Sequence, residues 1–344
     1  MSKQTKRLII PDVLKGFAVL FMIQVHILEL FSKQEIYDGF IGKTSLFLGG
    51  VPAAPVFMLV MGYFLAFKIK DEKQLLFRGI KLFIAGLILN FLLNLNLAFH
   101  VFYEGWNEFV NIYHYWFGAD ILLLAGLSVI VIGLFRYGFK DNLIPWIIVA
   151  LSIPMISSLT EPVDFEKITV KYIFAFLFSN EEWSYFPLIP WLAYPITGYV
   201  FRLLEMKFGD ILTNKKLKLI SGVGILILLI FTFKWAGGII TNLPAYYHHG
   251  TWFFFWAIGL STIWSISLSL FPKEIIQNPV GTYIRWLGKN VTLIYIIQWI
   301  IIGNIGTILY KTQTVSQSLI WFSAVLLATS LLTLLIQRKF TFRI

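Results

Sequence analysis

Long apolar stretches constrain the fold of this chain more than any other feature of its sequence. A helix needs about 20 apolar residues to cross the hydrocarbon core of a bilayer. Ten segments approach that length, at residues 11–31, 46–67, 79–99, 117–135, 143–159, 185–205, 217–236, 251–271, 290–309 and 317–336. Because 58% of the residues are hydrophobic and only 13% are charged, an ordinary soluble protein is excluded. We therefore predict an all-α polytopic membrane protein with about ten transmembrane helices.

The basic residues are distributed unevenly between the two ends of these segments. Twenty Lys and Arg side chains fall in one alternating set of connections and termini, and five fall in the opposite set. Cytoplasmic connections carry the excess of Lys and Arg, so both termini are expected in the cytoplasm and the number of spans is expected to be even. The same asymmetry explains the net charge of +10 without nucleic acid as a partner.

Three segments need separate interpretation. The span at 143–159 is the weakest because it is short and contains two prolines. The stretch 168–178 is apolar but too short to cross, and we expect a re-entrant or interfacial piece. The amino-terminal span is expected to be a retained helix, since Asp12 and Lys15 interrupt its apolar run and no small-residue cleavage site follows. Residues 1–344 are expected to form one membrane domain.

Ionisable side chains inside the first span are candidates for a functional site, because a charge facing lipid costs several kcal/mol. They are Lys15, His26 and Glu29. Lys15 and His26 are eleven residues apart, so they share one helix face at a separation of about 16 Å. Lys15 and Glu29 are explained equally well if they reach the two headgroup layers. His26 is too short to do so, and we predict that it is the catalytic residue, with Glu29 beside it.

Asp120 begins the fourth span at a depth comparable to that of His26. A carboxylate there can accept the imidazole N–H and raise its basicity, or it can simply favour the helix dipole. The glycine- and proline-rich run at 49–55 cannot be a smooth helix, and its N–H groups either stabilise an oxyanion or mark a kink for close packing. Interhelical hydrogen bonds are expected from Asn90, Asn94 and Asn96.

Histidines and aromatic residues on the predicted outer side are candidates for substrate contact. His114 and His249 are alternatives to His26 as the base, or contacts for the substrate. Tyr185 and Trp191 have rings that can stack on a sugar. No metal is predicted, because the chain has no cysteine and no HExxH or comparable spacing. The same stacking role is open to Trp183, Tyr246 and Tyr247.

The first span also carries a recognisable pattern: Asp12, then Lys15 followed by Gly16, then His26 after ten intervening positions. It resembles the first helix of transmembrane acyltransferases, both the acyltransferase-3 family and the relatives of heparan-alpha-glucosaminide N-acetyltransferase. Residues 52–63 resemble the second helix of these proteins, and the stretch from Phe186 to Gly198 resembles the heparan-acetyltransferase-like branch. Three positions depart from the pattern, with Lys15 in place of the commoner Arg, Met61 in place of a frequent Ser, and Gln298 in place of a frequent His.

The resemblance implies transfer of an acyl group, usually acetyl, from cytoplasmic acyl-CoA to a hydroxyl or amine of a carbohydrate beyond the membrane. It implies that His26 is the catalytic residue and that Lys15 lies near the CoA phosphates. We expect Arg78 and Lys81 to assist Lys15, because they lie near the same predicted face of the membrane. The heparan enzyme has its reactive histidine between the first two helices. This chain has none there, so the sequence does not support an acyl-histidine intermediate.

Two other classes of protein share some of these features. A transporter or flippase for a saccharide or lipid-linked substrate also has broken helices and intramembrane charges, but we find no matching pair of broken segments in the two halves of the chain. A receptor or assembly factor would bind a glycan without turnover. The expected partners of an acyltransferase are the bilayer, which we expect to be a bacterial inner membrane, and a carbohydrate or glycolipid acceptor. A homodimer is compatible with the sequence.

Overall fold

The computed structural model describes residues 9–68, 71–159, 165–212 and 214–339. These residues are helical almost throughout and form no β-strand beyond an isolated bridge between Ser32 and Gln313. The helices, in chain order, are Ile9–Phe31 (α1), Gln34–Asp38 (α2), Phe40–Gly49 (α3), Ala54–Lys68 (α4), Glu72–Leu93 (α5), Leu95–Tyr103 (α6), Ile112–Trp116 (α7), Ile121–Phe139 (α8), Leu143–Leu159 (α9), Ile168–Ala175 (α10), Leu188–Trp191 (α11), Ala193–Leu212 (α12), Lys215–Ile240 (α13), Leu243–Tyr247 (α14), Thr251–Leu270 (α15), Lys273–Gln277 (α16), Pro279–Lys289 (α17), Val291–Leu309 (α18) and Val315–Lys339 (α19).

Within the described ranges, eight helical segments are long and apolar enough to cross a membrane, which confirms the all-α polytopic class. They are Ile9–Phe31, Phe40–Ala66, Glu72–Leu93, Ile121–Phe139, Lys215–Ile240, Thr251–Leu270, Val291–Leu309 and Val315–Lys339. The other two expected spans are also helical. The α9 helix has 17 residues, and α12 carries Arg202, Glu205 and Lys207. The count of ten and the cytoplasmic termini therefore stay predictions, and the amino-terminal cations Lys3, Lys6 and Arg7 lie outside the described residues.

The expected short segment at 168–178 corresponds to α10, which has eight residues. At 1.5 Å per residue it extends about 12 Å, far less than the hydrocarbon thickness. It packs with the loop that follows it, where Ser184 donates a hydrogen bond to the Ala175 carbonyl at 2.7 Å. A segment of this length can lie at an interface but cannot span.

Small residues let pairs of helices approach closely at the centre of the bundle. A Cβ added to Gly62 on α4 would lie 1.7 Å from the Pro195 carbonyl oxygen on α12, and one added to Gly198 would lie 1.9 Å from the Leu59 carbonyl oxygen. Lipid provides no hydrophobic drive for helices to associate, so close backbone packing of this kind stabilises a membrane bundle. The α4 and α12 helices are therefore held together by a glycine on each side.

The α1 helix lies inside the bundle and is the element that positions the site. Its residue Gly16 lies against the Ile284 backbone of α17, and its carboxy-terminal half packs on α3, where a Cβ added to Gly49 would lie 2.3 Å from the Val25 side chain. Beyond Phe31 the chain is bound to the α18–α19 connection, because the Lys33 N–H donates to the Gln313 carbonyl at 2.9 Å. The carboxy-terminal end of α1 is thus fixed on several sides.

Candidate active site

A cavity of about 530 Å³ lies among α1, α5, α18 and the break between α3 and α4. His26, Glu29, Asp120 and Tyr185 all line it, so four of the residues predicted from the sequence lie in one chamber. Such a volume accommodates a small molecule or one sugar unit with its substituents. On α1 the lining runs from Met22 to Leu30.

The imidazole of His26 forms part of the cavity wall and is held by an aromatic neighbour. Its ring lies against Trp299 of α18, with 4.0 Å between the ring centroids. The Nδ1 atom is buried and has no hydrogen-bond partner among the described residues. Glu29 lies one turn further along α1, with its Oε2 atom 3.9 Å from Nδ1. His26 therefore has a fixed ring, an unoccupied ring nitrogen and a carboxylate close to hydrogen-bonding distance.

Asp120 is in the same cavity, but its hydrogen bonds differ from those expected. Its Oδ1 atom accepts a hydrogen bond from the Ile121 N–H at 2.7 Å, at the start of α8. Its Oδ2 atom accepts one from the hydroxyl of Tyr295 at 2.5 Å. Both carboxyl oxygens are therefore engaged, and Glu29, rather than Asp120, is the acid next to the Nδ1 atom of His26. Both explanations left open by the sequence therefore apply to Asp120: it caps the start of α8 and it lines the cavity.

The backbone break at 49–55 is present and lines the cavity. The α3 helix ends at Gly49 and α4 begins at Ala54, and both residues are on the cavity wall. The Gly50 N–H donates to the Leu46 carbonyl at 2.8 Å, and the N–H groups of Ala53 and Ala54 each donate to the Gly50 carbonyl at 3.1 Å. These three donors are used locally, so the close packing of Gly49 on α1 is the better supported role of the break.

Of the other expected substrate contacts, Tyr246 and Tyr247 line this cavity, whereas Trp191 and His249 do not. Trp191 is fully buried and donates a hydrogen bond from its indole N–H to the Tyr247 carbonyl at 2.8 Å. His249 is 2% exposed, with its Nε2 atom 2.8 Å from the Tyr194 hydroxyl and its Nδ1 atom 2.8 Å from the Tyr246 carbonyl. Neither residue lines the chamber, and their contacts hold α11, α12 and α14 together. They are packing residues that happen to be near the site.

His114 also lies away from the cavity lining. Its ring stacks on Trp183 with 3.9 Å between centroids, and its Nε2 atom is 3.1 Å from the Asn111 amide nitrogen. Burial lowers the pKa of His114, and the nearby acids Glu182 and Glu181 oppose that shift. The contact with Trp183 gives His114 a place in an outer aromatic cluster rather than beside the imidazole of His26.

The expected cations lie at the other end of α1 and α5, outside the cavity lining. Lys15 has a side chain only 13% exposed, with its Nζ atom 3.3 Å from Asp12 and 5.2 Å from the centroid of the Phe64 ring. It is therefore packed within the protein instead of extending to headgroups. Arg78 is half-buried, and its Nε atom has no hydrogen-bond partner among the described residues, whereas Lys81 is exposed.

Tyr295 and Trp299 are site residues that the sequence interpretation did not identify. They lie four residues apart on α18, so both point to one face of that helix, and both line the cavity. Their spacing was visible in the sequence, but aromatic pairs at this spacing are common in apolar helices and carried no signal of their own. Gln298, between them, is fully buried, and neither of its amide atoms has a hydrogen-bond partner among the described residues.

Two of the three asparagines of the third span behave as expected. The Asn90 amide donates a hydrogen bond to the Gly118 carbonyl at 2.9 Å, and the Asn96 N–H donates to the Asn304 side chain at 2.8 Å. These bonds join α5 to the segment before α8 and α6 to α18, as expected for Asn90 and Asn96. The Asn94 amide instead donates to the Asn90 carbonyl one turn earlier, at 2.8 Å, so its expected interhelical bond is not observed. Across the described ranges, no group of three or more His, Asp or Glu side chains is arranged to hold a metal ion.

An imidazole and two carboxyl groups in a partly enclosed chamber of a helical membrane protein define a candidate membrane-embedded acid–base site. A family model described as an acyltransferase domain matches residues 8–338, and the chain therefore belongs to the acyltransferase-3 family. It is an integral membrane acyltransferase that transfers groups other than aminoacyl groups. No curated protein matches the chain, and no solved structure matches it.

Proposed function

We propose that this acyltransferase moves an acetyl group from cytoplasmic acetyl-CoA to a hydroxyl or amine of an extracytoplasmic carbohydrate, in the inner membrane of a bacterium. The observation that carries the proposal is the position of His26, whose Nδ1 atom is buried and unpartnered in the wall of the cavity. A buried ring nitrogen without a hydrogen bond is costly in an apolar bundle, which favours a functional reason for its presence.

The chemistry that such a site has to perform is modest, because a thioester is already activated. His26 accepts the proton of the acceptor hydroxyl as its oxygen attacks the thioester carbonyl carbon. A C–O bond forms, the C–S bond breaks, and the CoA thiolate leaves and takes a proton. Glu29 stabilises the positive charge that develops on the imidazole, since its carboxylate is 3.9 Å from Nδ1. Trp299 keeps the ring in one orientation throughout.

The donor would be held at the opposite end of α1. Lys15 shares the helix face of His26 at about 16 Å, a distance that the pantetheine arm of CoA can cover. Arg78 and Lys81 add two further cations on α5, for the phosphates of the nucleotide. The cavity lining ends at Met22 on α1, about 10 Å along the helix from Lys15, so the arm has to enter between helices over that length.

The acceptor is proposed to be a carbohydrate, free or carried on a lipid. The resemblance of the stretch from Phe186 to Gly198 to the heparan-acetyltransferase-like branch supports this choice. So do the aromatic rings of Tyr185 and Phe186 in the cavity, because such rings stack on sugars.

The test is acyl transfer across a membrane. The purified chain is reconstituted into vesicles, with labelled acetyl-CoA enclosed in the lumen and a set of sugars outside. The proposal predicts that labelled, acetylated sugar appears outside only when acetyl-CoA is inside the vesicles and in contact with the cytoplasmic face of the protein. Uptake of sugar into vesicles that lack any acyl donor, without acetylated product, would support a carrier and contradict the proposal.

A further inference from the structure

The charge of the groups that line the cavity indicates which class of carbohydrate the cavity binds. This inference rests on the proposed function. We propose that the acceptor is an amino sugar whose protonated amine binds at Glu29 while a hydroxyl of the same sugar is placed at His26. The ammonium group keeps its protons and is not the atom that receives the acyl group. The chemical class is therefore a cationic carbohydrate, in preference to a neutral or an anionic one.

The charged groups that line the cavity are all acidic. Glu29 and Asp120 are on its wall, and no Lys or Arg is among the described residues that line it. Asp120 is already bound by Tyr295 and by its own helix terminus, whereas the Oε2 atom of Glu29 lies 3.9 Å from the Nδ1 atom of His26, beyond hydrogen-bonding distance. An anionic sugar would meet two acids and no cation in this chamber, and its desolvation would be uncompensated.

Aromatic rings form much of the remaining wall. The side chains are Trp106, Tyr115, Tyr185, Tyr246, Tyr247 and Tyr310. Faces of aromatic rings attract cations, and the attraction grows when the cation is removed from water. A wall of rings with a carboxylate is a suitable environment for an ammonium group on a sugar, since the rings also stack on its apolar face. It offers an anionic group nothing comparable.

Tyr246 provides an independent sign that a polar ligand is missing from this chamber. The residue is 4% exposed and lines the cavity, and its hydroxyl has no hydrogen-bond partner among the described residues. A buried phenol without a partner costs free energy, which a ligand with N–H or O–H groups would recover. An amino sugar has both kinds of group.

The nearest cation, Lys311, lies at the rim of the cavity, where partial burial lowers its pKa and the carboxylates of Glu29 and Asp38 oppose that shift. Lys311 follows the lining residue Tyr310, but its ammonium group lies 3.9 Å from the centroid of the Tyr37 ring. Its backbone N–H donates to the Leu30 carbonyl at 2.9 Å, which fixes its position on the outer end of α1. Lys311 is thus committed to the rim and is not on the cavity wall.

The spacing of Glu29 and His26 matches one sugar unit. They are three residues apart on α1, so they differ in depth by about 4.5 Å and lie on the same side of the helix. A group bound at Glu29 and a hydroxyl at His26 can therefore belong to nearby ring positions of one residue. This places recognition of the amine and chemistry at the hydroxyl within a single site.

The experiment measures binding of three matched probes to the purified full-length chain, without acyl donor, by titration calorimetry. The probes are the methyl glycosides of glucosamine, glucose and glucuronic acid. We expect glucosamine to bind at least tenfold more tightly than glucose, which corresponds to about 1.4 kcal/mol, and the uronic acid to bind most weakly. In Glu29→Gln the preference for glucosamine over glucose falls below about threefold, and in Glu29→Asp, which keeps the charge, it persists.

The matched control is Glu35→Gln, which removes an exposed acid on α2 that is not on the cavity wall, and it retains the full preference. Equal binding of glucosamine and glucose, tighter binding of the uronic acid, a preference that survives Glu29→Gln, or failure of all three probes to bind would each overturn the inference. Measuring acetyl transfer to the same sugars distinguishes a failure of the amine site from a failure of the proposed function. Equal acetylation of glucose and glucosamine would contradict the amine site alone. An intact binding preference without any acetyl transfer would contradict the proposed function alone.

Discussion

The imidazole of His26 lies against the indole of Trp299, with the ring planes at 41° and the centroids 4.0 Å apart. This contact joins α1 to α18 at the cavity wall and is the closest packing that the His26 ring makes with another aromatic group. A base is effective only when its nitrogen is placed accurately, and displacement by about 1 Å can cost a hundredfold in rate. Trp299 is therefore a positioning residue for His26.

Trp299→Leu is expected to lower kcat by about 10- to 100-fold, because the imidazole loses the surface that orients it. The KM for acetyl-CoA should change little, since the proposed donor cations lie outside this cavity. Initial rates over a range of acetyl-CoA concentrations measure both constants. Trp252→Leu is the control, because that tryptophan is 78% exposed and does not line the cavity. An unchanged kcat in Trp299→Leu would contradict the positioning role of Trp299.

The hydrogen bond from Tyr295 to Asp120 should be visible as a coupling energy. Each of Tyr295→Phe and Asp120→Asn weakens or removes the 2.5 Å contact. Hydrogen bonds to charged groups contribute about 1.5–3 kcal/mol, so each single variant should lose stability and the double variant should lose less than their sum. Thermal unfolding in detergent of the four proteins measures the cycle. Strictly additive effects would mean that the bond contributes nothing to stability.

The Gln298 amide should be replaceable by an apolar side chain with a gain in stability. Both of its amide atoms are buried without a partner among the described residues, and an unsatisfied buried group costs about 1–3 kcal/mol. Gln298→Leu has a similar volume and removes both atoms, so its unfolding temperature should rise. A fall in unfolding temperature would show that Gln298 is hydrogen-bonded in the membrane, for example to a buried water.

The close approach of α4 and α12 gives a prediction about glycine. Gly62→Ala places a methyl group where the Pro195 carbonyl oxygen already lies, so the helices must separate, at a typical cost of about 1–3 kcal/mol. Gly224→Ala on α13 is the comparison, because a Cβ there meets no atom within 4 Å. Thermal unfolding should show a lower midpoint for Gly62→Ala than for Gly224→Ala. Equal midpoints would contradict the tight crossing.

The sequence predicted the membrane class well because hydrophobic length is a local property. Whether an apolar run is long enough to cross the membrane depends only on the residues within that run. The span at 185–205 was less accurate, since its long helix starts only at Ala193 and carries a paired arginine and glutamate. There Arg202 donates a hydrogen bond to Glu205 at 2.7 Å, and Tyr63 of α4 donates to the same carboxylate. Such pairing is a tertiary property and is not visible in hydropathy.

Part of the cavity lining could also be predicted from the sequence, because it depends on local features. His26 and Glu29 were predicted because a polar residue inside an apolar run stands out in the sequence, and both line the cavity. The partner of Asp120 could not be found, because Tyr295 is 175 residues away in the chain. His249 and Trp191 are both buried outside the cavity lining, and whether a side chain faces a cavity or the core cannot be predicted from the sequence.

The central claim, that His26 is the base, is tested most directly by acetyl transfer from acetyl-CoA in the purified, reconstituted His26→Ala variant. General base catalysis contributes about 10²- to 10⁴-fold, so the rate should fall by at least a hundredfold. Binding of the acceptor, measured separately, should remain detectable. His100→Ala is the control, since that histidine pairs with Glu104 and does not line the cavity, and it should retain the wild-type rate. Full acetyl transfer by correctly folded His26→Ala would contradict the account.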